Sequence, residues 1–273
     1  MKRVFSANLS VLKNKEGEIK MKNRVLSILL AALFLLLPLS CAGADGGSYY
    51  DSTSYYDSIT DSYLYGTPHI GIVICTKMNV RDRASTSGKS YGSIKNGQPV
   101  KILGTSRDGN FYVLDLQSCG FSNQAAGSYG YAKNSLIKID PEFIATTKLT
   151  NLYATPWSTE LKNGEQNGRF FLIIAEYGNW FAVQSAESTP GSAFIRAADV
   201  GSYSQYAAKY VVTWDTVTYA DLTTWAQASS VKRFTVGRLQ DISGDYTLLL
   251  FNEGAANQFS AWVPSLYVAP IRN

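Results

Sequence analysis

The sequence contains few side chains that could perform chemistry. Its 273 residues include one histidine, His69, and three cysteines. A single histidine removes most metal sites built on histidine clusters, and most Ser-His or Cys-His nucleophile pairs. Neither a Cys-x-x-Cys motif nor a glycine-rich phosphate loop occurs. We therefore expect no catalytic residue, no metal site and no cofactor.

Two acidic residues, Asp241 and Asp245, are the remaining candidates for acid-base chemistry. Pairs of carboxylates serve glycosidases as acid, base or nucleophile. These two flank Gly244 in a predicted turn, where carboxylates are usually solvated. We favour the solvated turn and keep an envelope hydrolase as the least favoured alternative.

Residues 1–40 are predicted to be an export signal. Lys22 and Arg24 precede an apolar run over 25–37 that a single serine interrupts. As a helix this run would extend about 20 Å, which is shorter than the ~30 Å hydrocarbon core of a membrane but suits a signal peptide. A true membrane anchor is the alternative. Met21 makes a more natural start than the first methionine, because the basic region that it begins contains no glutamate.

The segment 37–41, Leu-Pro-Leu-Ser-Cys, resembles the lipobox of bacterial lipoproteins. Pro38 departs from the leucine that the family usually has there. The resemblance implies a lipidated Cys41 and a membrane anchor in the cell envelope. In an organism with an outer membrane, Ala42 resembles the residue of lipoproteins sorted outward. The alternative is cleavage after Ala42 or Ala44 and a secreted protein.

The other two cysteines, Cys75 and Cys119, form an even pair in what would be an oxidising compartment. A disulfide between them would close a loop of about 44 residues and contribute about 4 kcal/mol on the loop-entropy model. Two buried thiols that behave as small hydrophobic groups are the alternative. The prediction tested below is the disulfide.

Residues 41–67 differ in composition from the rest of the chain. They are mostly Gly, Ser, Thr, Tyr and Asp and repeat the motif Ser-Tyr-Tyr-Asp. Without alternating β-branched residues, such a segment does not bury a core of its own. We expect a disordered tether, with stacking of its tyrosines on a partner or a sugar polymer as the alternative.

From His69 onward the sequence predicts strands and hairpins, because short alternating segments are bounded by Gly, Asn and Asp. Three blocks, opening at Met78, Thr150 and Thr216, share an opening strand, an aromatic strand and a closing segment. A single irregular β domain is the alternative. The repeat predicts three small domains, over 68–140, 141–203 and 204–273.

The first block resembles a bacterial SH3 (SH3b) domain over about 65 residues. It opens with Met-Asn-Val-Arg at 78–81, continues with Gly-Ser-Ile-Lys-Asn-Gly-Gln-Pro-Val-Lys-Ile at 92–102, and closes with Gly-Tyr-Ala-Lys-Asn-Ser-Leu at 130–136. Ala84 replaces the usual proline, and Tyr131 replaces a common tryptophan. The other two blocks keep the aromatic strand and the closing segment but lose the Asn-Val-Arg opening.

This resemblance implies an all-β chain of tandem SH3-like barrels that receive extended peptides in grooves lined by aromatic residues. The expected ligands are cell-wall peptides, peptidoglycan or an envelope protein. Candidate ligand-binding residues lie in or beside predicted loops: Tyr91 and Tyr112 in the first block, Trp157 and Tyr177 in the second, and Trp225 in the third.

The charge of the exported part argues against nucleic acid as a partner. Seven of the 25 basic and two of the 21 acidic residues lie within 1–40, which leaves 18 basic and 19 acidic residues. Affinity for nucleic acid depends on neutralising phosphates. We therefore expect a non-enzymatic, lipid-anchored binding protein of the cell envelope. A structural scaffold subunit is the main alternative.

Overall fold

The computed structural model describes seven stretches of the chain: 53–121, 128–146, 150–157, 160–165, 169–185, 192–200 and 209–272. Their regular elements are β-strands, apart from three short 3₁₀ helices. The prediction of an all-β fold is confirmed. Within these stretches, no helix has the length and apolar character needed to cross a membrane. The predicted signal peptide and Cys41 lie outside the described residues.

Sheet 1 contains eight strands: β1 (Tyr55–Asp57), β2 (Ser62–Val73), β3 (Lys77–Arg81), β4 (Ser90–Lys95), β5 (Pro99–Ser106), β6 (Phe111–Asp115), β7 (Tyr129–Lys133) and β8 (Ile137–Ile139). They follow the antiparallel order β1-β2-β5-β6-β7-β3-β4, and β8 pairs with β2. A 3₁₀ helix, Asn134–Leu136, precedes β8. The core includes Met78, Val80, Ile102 and Leu114.

Sheet 2 contains six strands: β9 (Phe143–Ala145), β10 (Thr150–Tyr153), β11 (Glu160–Glu165), β12 (Phe170–Tyr177), β13 (Trp180–Ser185) and β14 (Ser192–Arg196). Their order is β11-β10-β14-β13-β12-β9, and a 3₁₀ helix, Ala197–Asp199, follows β14. Its core is built from Ile144, Leu152, Phe171, Val183 and Ile195 among others.

Sheet 3 contains seven strands: β15 (Lys209–Val212), β16 (Thr216–Asp221), β17 (Ala226–Val231), β18 (Val236–Ser243), β19 (Tyr246–Phe251), β20 (Phe259–Pro264) and β21 (Val268–Pro270). Their order is β17-β16-β20-β19-β18-β15-β21, with a 3₁₀ helix, Ser265–Tyr267, before β21. Val212, Leu249, Phe251 and Val263 are fully buried in its core.

The three sheets repeat one scheme of strand pairing. In each, a central eight-residue strand (β5, β12 or β18) pairs with a preceding strand and with the following one. The register of the second pairing shifts at one equivalent point, after Ile102, Ile173 and Leu239. Gly104, Ala175 and Asp241 are therefore equivalent positions. The pairings among the described residues leave each sheet open, so they form repeated antiparallel sheets without a closed ring of strands.

Local sequence explains how the strands of sheet 1 begin and end. Along β3, buried Met78 and Val80 alternate with exposed side chains, as expected for a strand with one covered face. The Asn96-Gly97 turn joins β4 to β5, and only Gly97 has a positive φ, of 77°. That conformation fits a type II turn. A Cβ at Gly97 would also lie only 2.6 Å from Nη2 of Arg233, so the guanidinium would have to shift to admit a side chain there.

Specific contacts join the three sheets within one compact unit, Gly43–Asn273. Sheet 2 meets sheet 1 where Nε2 of Gln184 donates to Oδ1 of Asn96 at 2.6 Å. Sheet 2 meets sheet 3 where the rings of Phe170 and Phe234 stack with centroids 5.8 Å apart. Sheet 1 meets sheet 3 where Nζ of Lys101 lies 3.1 Å from the carboxylate of Asp245.

The end of the chain forms a further junction between sheets 2 and 3. Ile271 forms a parallel bridge with Phe143, and the N–H of Arg272 donates to the carbonyl of Phe143 at 2.7 Å. The Arg272 guanidinium donates to the carboxylates of both Glu142 and Glu176. One side chain therefore ties the last residues of the chain to two points beside sheet 2.

The prediction of a disordered tether over 41–67 is wrong from residue 53 onward, where the structure describes the chain. β1 and the start of β2 form a hairpin, which we call the N-terminal hairpin (53–65). Its residues Ser62 and Tyr65 are buried, and β2 pairs with β5. The segment folds because it adds to a sheet that already has a core, so it needs no core of its own.

Two tyrosines of the N-terminal hairpin provide a matched test of this correction. Tyr65→Ala should lower the free energy of unfolding by about 3–5 kcal/mol, because the ring is 5% exposed and packs in the core of sheet 1. Tyr55→Ala should change it by less than about 0.5 kcal/mol, because that ring is 58% exposed. Urea denaturation followed by tryptophan fluorescence measures both. Equal, small effects would mean that the segment is not folded.

Candidate functional site

The prediction that Tyr112 binds a ligand is wrong. Its side chain is 9% exposed and belongs to the core of sheet 1 with Leu114. Its strand, β6, is covered on both faces, because Phe111 and Val113 pack in a second cluster against Leu64 of the N-terminal hairpin. Burial raises the pKa of the Tyr112 hydroxyl, and the charge of Asp140 raises it further. A tyrosine in this position contributes to stability and is not presented to a ligand.

The other four predicted aromatic residues are exposed but lie on different sheets. Tyr91 lies on β4 of sheet 1, Tyr177 on β12 of sheet 2, and Trp157 just after β10 of sheet 2. Trp157 is the most exposed, at 84%. Among the described ring contacts, none joins two of the predicted residues. The structure therefore does not assemble them into a single groove.

Trp225 does belong to an aromatic cluster, the Trp225 cluster, formed with Tyr219 and Tyr246 of sheet 3. The three ring centroids are 5.3–5.8 Å apart, and the rings meet edge to face. Trp225 is 54% exposed and has a positive φ of 55°. Its turn is held by the Asp221 carboxylate, which accepts from the N–H of Thr223. The indole is thus fixed by its neighbours while part of its surface faces solvent.

A cleft of about 1270 Å³ lies between sheets 1 and 3 and reaches the Trp225 cluster through Tyr246. Sequence reasoning did not predict it. Its volume suits an extended ligand, because most small-molecule pockets are of this size or smaller. From sheet 1 and the residues just after it, its polar lining includes His69, Lys101, Asp115, Ser118, Asp140 and Glu142; from sheet 3 it includes Tyr210, Asp245, Tyr246 and Ser265.

Two pairs of charged or polar groups cross the cleft or line its wall. Nδ1 of His69 lies 2.9 Å from the carboxylate of Asp140, in sheet 1. Lys101 reaches from sheet 1 to Asp245 in sheet 3 and so bridges the two walls. Carboxylates outnumber the basic groups of the lining, since Asp115 and Glu142 also contribute. Arg272 neutralises Glu142, which leaves Asp115 and Asp140 as an excess of negative charge.

The two serine hydroxyls that line the cleft make hydrogen bonds to neighbouring residues. Ser118 donates to the carbonyl of Asp115 at 2.8 Å and accepts from the N–H of Lys101 at 2.9 Å. The hydroxyl of Ser265 bonds that of Thr247 at 2.8 Å. A serine nucleophile requires a hydroxyl oriented toward a base. These two hydroxyls are instead oriented by the strands that carry them.

The predicted disulfide between Cys75 and Cys119 is absent, and both residues are thiols. Both side chains pack in or against the core of sheet 1, as small hydrophobic groups do. Burial raises the pKa of Cys119 to about 12, a shift that hydrogen bonding with Ser118 opposes. Cys119 is therefore protonated at neutral pH and poorly nucleophilic.

Of the predicted acidic pair, Asp245 lies in the β18–β19 turn as expected, whereas Asp241 lies within β18 and pairs with Leu248. Both residues are exposed, and Asp245 pairs with Lys101. Within the described stretches, no group of three or more His, Cys, Asp or Glu side chains is placed to hold a metal ion.

His69 was noted in the sequence only as a solitary residue. No local pattern indicates that it would lie beside Asp140, 71 positions away.

Comparisons with known proteins identify no family. No family model matches the chain, and no curated protein sequence matches it. Among solved structures, NlpC2 from Trichomonas vaginalis is 8% identical, with 76% of this chain and 92% of that chain covered, at a TM-score of 0.21. NlpC1 from the same organism is 9% identical, with 83% and 98% covered, also at 0.21. TM-scores this low carry no argument about fold or function.

The state of the cysteines can be tested by alkylation with iodoacetamide at about pH 8. In the native protein Cys119 should remain unmodified, because it is buried and its pKa is about 12. In urea without reductant it should react fully. Peptide mapping by mass spectrometry reads both states. If Cys75 and Cys119 react in urea only after a reductant is added, the two residues form the predicted disulfide.

Proposed function

We propose that this chain is a non-catalytic protein of the cell envelope that binds extended peptides in the cleft between sheets 1 and 3. The single observation that carries the proposal is the cleft itself, with its acidic lining and the aromatic ring of Tyr246 at its rim. Cell-wall peptides are the favoured ligand, and a segment of an envelope protein is the alternative. Lipidation of Cys41 and the SH3b resemblance of the first block remain part of this proposal.

The charge of the cleft supports a ligand that carries amino groups. Asp115 and Asp140 are not neutralised by any arginine or lysine contact among the described ion pairs. An ammonium group that enters the cleft would gain charge-assisted hydrogen bonds with carboxylates. Peptides with free amines therefore fit this lining better than phosphates or acidic polymers do.

The engagement of both serine hydroxyls of the described lining supports binding without catalysis. The hydroxyls of Ser118 and Ser265 are engaged within their own sheets, and the Cys119 thiol is buried with a raised pKa. The His69–Asp140 pair resembles the base and orienting acid of a hydrolase only in part, since a nucleophile is also required.

A pulldown on purified peptidoglycan tests the proposal. Wild-type protein should be retained, and Asp140→Asn should reduce retention by about tenfold, because it removes charge from the cleft. The double variant Asp140→Asn/Tyr246→Ala should be retained still less than Asp140→Asn. Trp157→Ala is the matched aromatic control, because Trp157 is exposed on sheet 2 and is not part of the cleft lining.

The outcomes separate the alternatives. Clean flow-through of the wild type would contradict wall binding and favour a structural scaffold. Loss of retention in Trp157→Ala alone would place the ligand on sheet 2 and contradict the cleft.

Zymography on cell-wall substrate tests the non-catalytic part of the proposal. We expect no clearing by the wild type, because the cleft presents two engaged serine hydroxyls and no exposed thiol among its described lining residues. A known wall hydrolase run on the same gel is the positive control. Clearing that disappears in His69→Ala would show that the protein is an enzyme.

A further inference from the structure

Sheets 2 and 3 each have a pair of aromatic rings at equivalent positions. In sheet 2 the pair is Tyr153 and Trp180, with ring centroids 5.0 Å apart and an interplanar angle of 87°. In sheet 3 it is Tyr219 and Tyr246, with centroids 5.8 Å apart and an angle of 84°. The register makes the pairs equivalent. Trp180 and Tyr246 each pair with the last residue of the central strand, β12 or β18, and the two other tyrosines join β10 to β14 and β16 to β20.

A cation covers the aromatic pair of sheet 2. The guanidinium carbon of Arg196 lies 5.0 Å from the ring centroid of Tyr153 and 5.2 Å from that of Trp180. Both distances are within the range of about 6 Å over which the face of an aromatic ring attracts a cation. Arg196 is positioned by the sheet, because it pairs with Trp180 across β13 and β14. The fold thus places a guanidinium on its own aromatic pair.

Sheet 3 keeps the aromatic pair but not the arginine. Pro264 pairs with Tyr246 and so occupies the position of Arg196 in the register. The described contacts between a cation of sheet 3 and an aromatic ring involve Arg233 and rings outside the pair. The segment 201–208, which leads into β15, contains no lysine or arginine. Within the described part of sheet 3, the pair therefore has no equivalent of the sheet 2 guanidinium.

Trp225 adds a third ring to the pair of sheet 3 and leaves the cluster accessible. Its side chain is 54% exposed, and the other two rings are only partly buried. The backbone of Trp225 has a φ of 55°, a conformation that favours glycine and disfavours a bulky side chain. The turn nevertheless presents an indole there. A ligand can therefore reach the Trp225 cluster from solvent.

The turn that contains Trp225 also provides a negative charge. The carboxylate of Asp221 accepts from the N–H groups of Thr223 and Thr224. These bonds lower the pKa of Asp221, so it is ionised at neutral pH. Among the described ion pairs, none includes Asp221, whereas the other nearby acid, Asp245, is paired with Lys101. An incoming cation would thus meet an uncompensated carboxylate in this turn.

The angles between the rings favour a compact cation over a flat ligand. Trp225 meets Tyr219 at 88° and Tyr246 at 65°, so no two of the three rings are parallel. A base or a sugar ring stacks on a flat aromatic face. Arg196 shows instead that a guanidinium can contact both members of a perpendicular pair.

We propose that the Trp225 cluster binds the guanidinium of an arginine side chain from a partner protein. Arg196 identifies the occupant, because it supplies this group to the equivalent rings of sheet 2. The carboxylate of Asp221 in the same turn adds a favourable charge. Arginine is selected over lysine, because a guanidinium stacks on aromatic faces and is less strongly hydrated than an ammonium group.

This arginine site goes beyond the proposed function. An arginine can enter the Trp225 cluster whether or not the cleft binds cell-wall peptides. The two sites adjoin, because Tyr246 belongs to the cluster and to the lining of the cleft. A partner segment held by its arginine would therefore lie at one end of the cleft.

An NMR titration with short peptides tests the arginine site. The probe is acetylated and amidated Gly-Ser-Arg-Ser-Gly, and the two controls have citrulline or lysine in place of arginine. The indole N–H signal of Trp225, identified by its loss in Trp225→Phe, should shift with the arginine peptide. Citrulline has nearly the same shape without the charge, so its peptide should bind at least about fivefold more weakly. The lysine peptide should also bind more weakly than the arginine peptide.

Substitutions at Trp225 separate contact with the ring from attraction to the carboxylate. Trp225→Phe keeps an aromatic face, so the arginine peptide should bind within about threefold of the wild type. Trp225→Leu keeps an apolar side chain without that face and should weaken binding at least about fivefold. The backbone N–H signals of Thr223 and Thr224 report binding in both variants. Because Trp225 is exposed, both should keep the wild-type circular dichroism spectrum.

A substitution at Pro264 tests the equivalence of the two sheets. Pro264→Arg places an arginine at the position of Arg196, and its guanidinium should cover the Trp225 cluster. The arginine peptide should then bind at least about fivefold more weakly than to the wild type. Pro264→Gln is the matched control, because it adds a polar side chain without charge and should leave the affinity unchanged. The backbone of Pro264, at φ −54° and ψ 126°, suits either residue.

Several outcomes would overturn the proposal. No shift at millimolar concentrations of the arginine peptide would show that the three rings only pack against one another. Equal binding of the citrulline peptide would contradict recognition of a cation, and equal binding of the lysine peptide would contradict selection of arginine. Unchanged affinity in Trp225→Leu would exclude the cluster. A wild type that binds the arginine peptide but is not retained on peptidoglycan would support the arginine site and contradict the proposed function.

Discussion

The fold depends on contacts between sheets that are each too small to be very stable alone. Domains of about 60 residues bury only about 60% of the surface that their unfolded chains expose. Arg233 illustrates how the sheets support one another. Its guanidinium packs over the ring of Phe234, with 4.6 Å from its central carbon to the ring centroid, and approaches Gly97 of sheet 1. Phe234 in turn stacks on Phe170 of sheet 2. These contacts join sheet 3 to sheets 1 and 2.

The three sheets share one scheme of strand pairing, but their surfaces differ. The central strands share their register, yet Thr105 is buried, Glu176 is bonded to Arg272, and Ile242 is exposed. The strand pairing is the same in the three sheets, and the difference lies in the residues that contact each central strand. The cleft likewise depends on more than one sheet, because sheet 1 and sheet 3 each supply part of its lining.

Much of the fold could be predicted from the sequence, and much of the site could not. Alternation along β3 and the repeated blocks indicate strands correctly, since burial on one face leaves a local pattern. The N-terminal hairpin has no such pattern, because its partner strand supplies the core. Tyr112 was predicted to be accessible because the sequence of a strand does not show whether both of its faces are buried. The cleft was missed because Lys101 and Asp245 are separated by 144 positions.

The folded hairpin also changes how far the protein could extend from a membrane. A flexible segment of 41–67 would separate an anchor at Cys41 from the first sheet by roughly 90 Å at full extension. Because the described fold already includes residue 53, the span from Cys41 to that point is at most about 40 Å. A lipid at Cys41 would thus hold residue 53 within about 40 Å of the bilayer that carries the lipid.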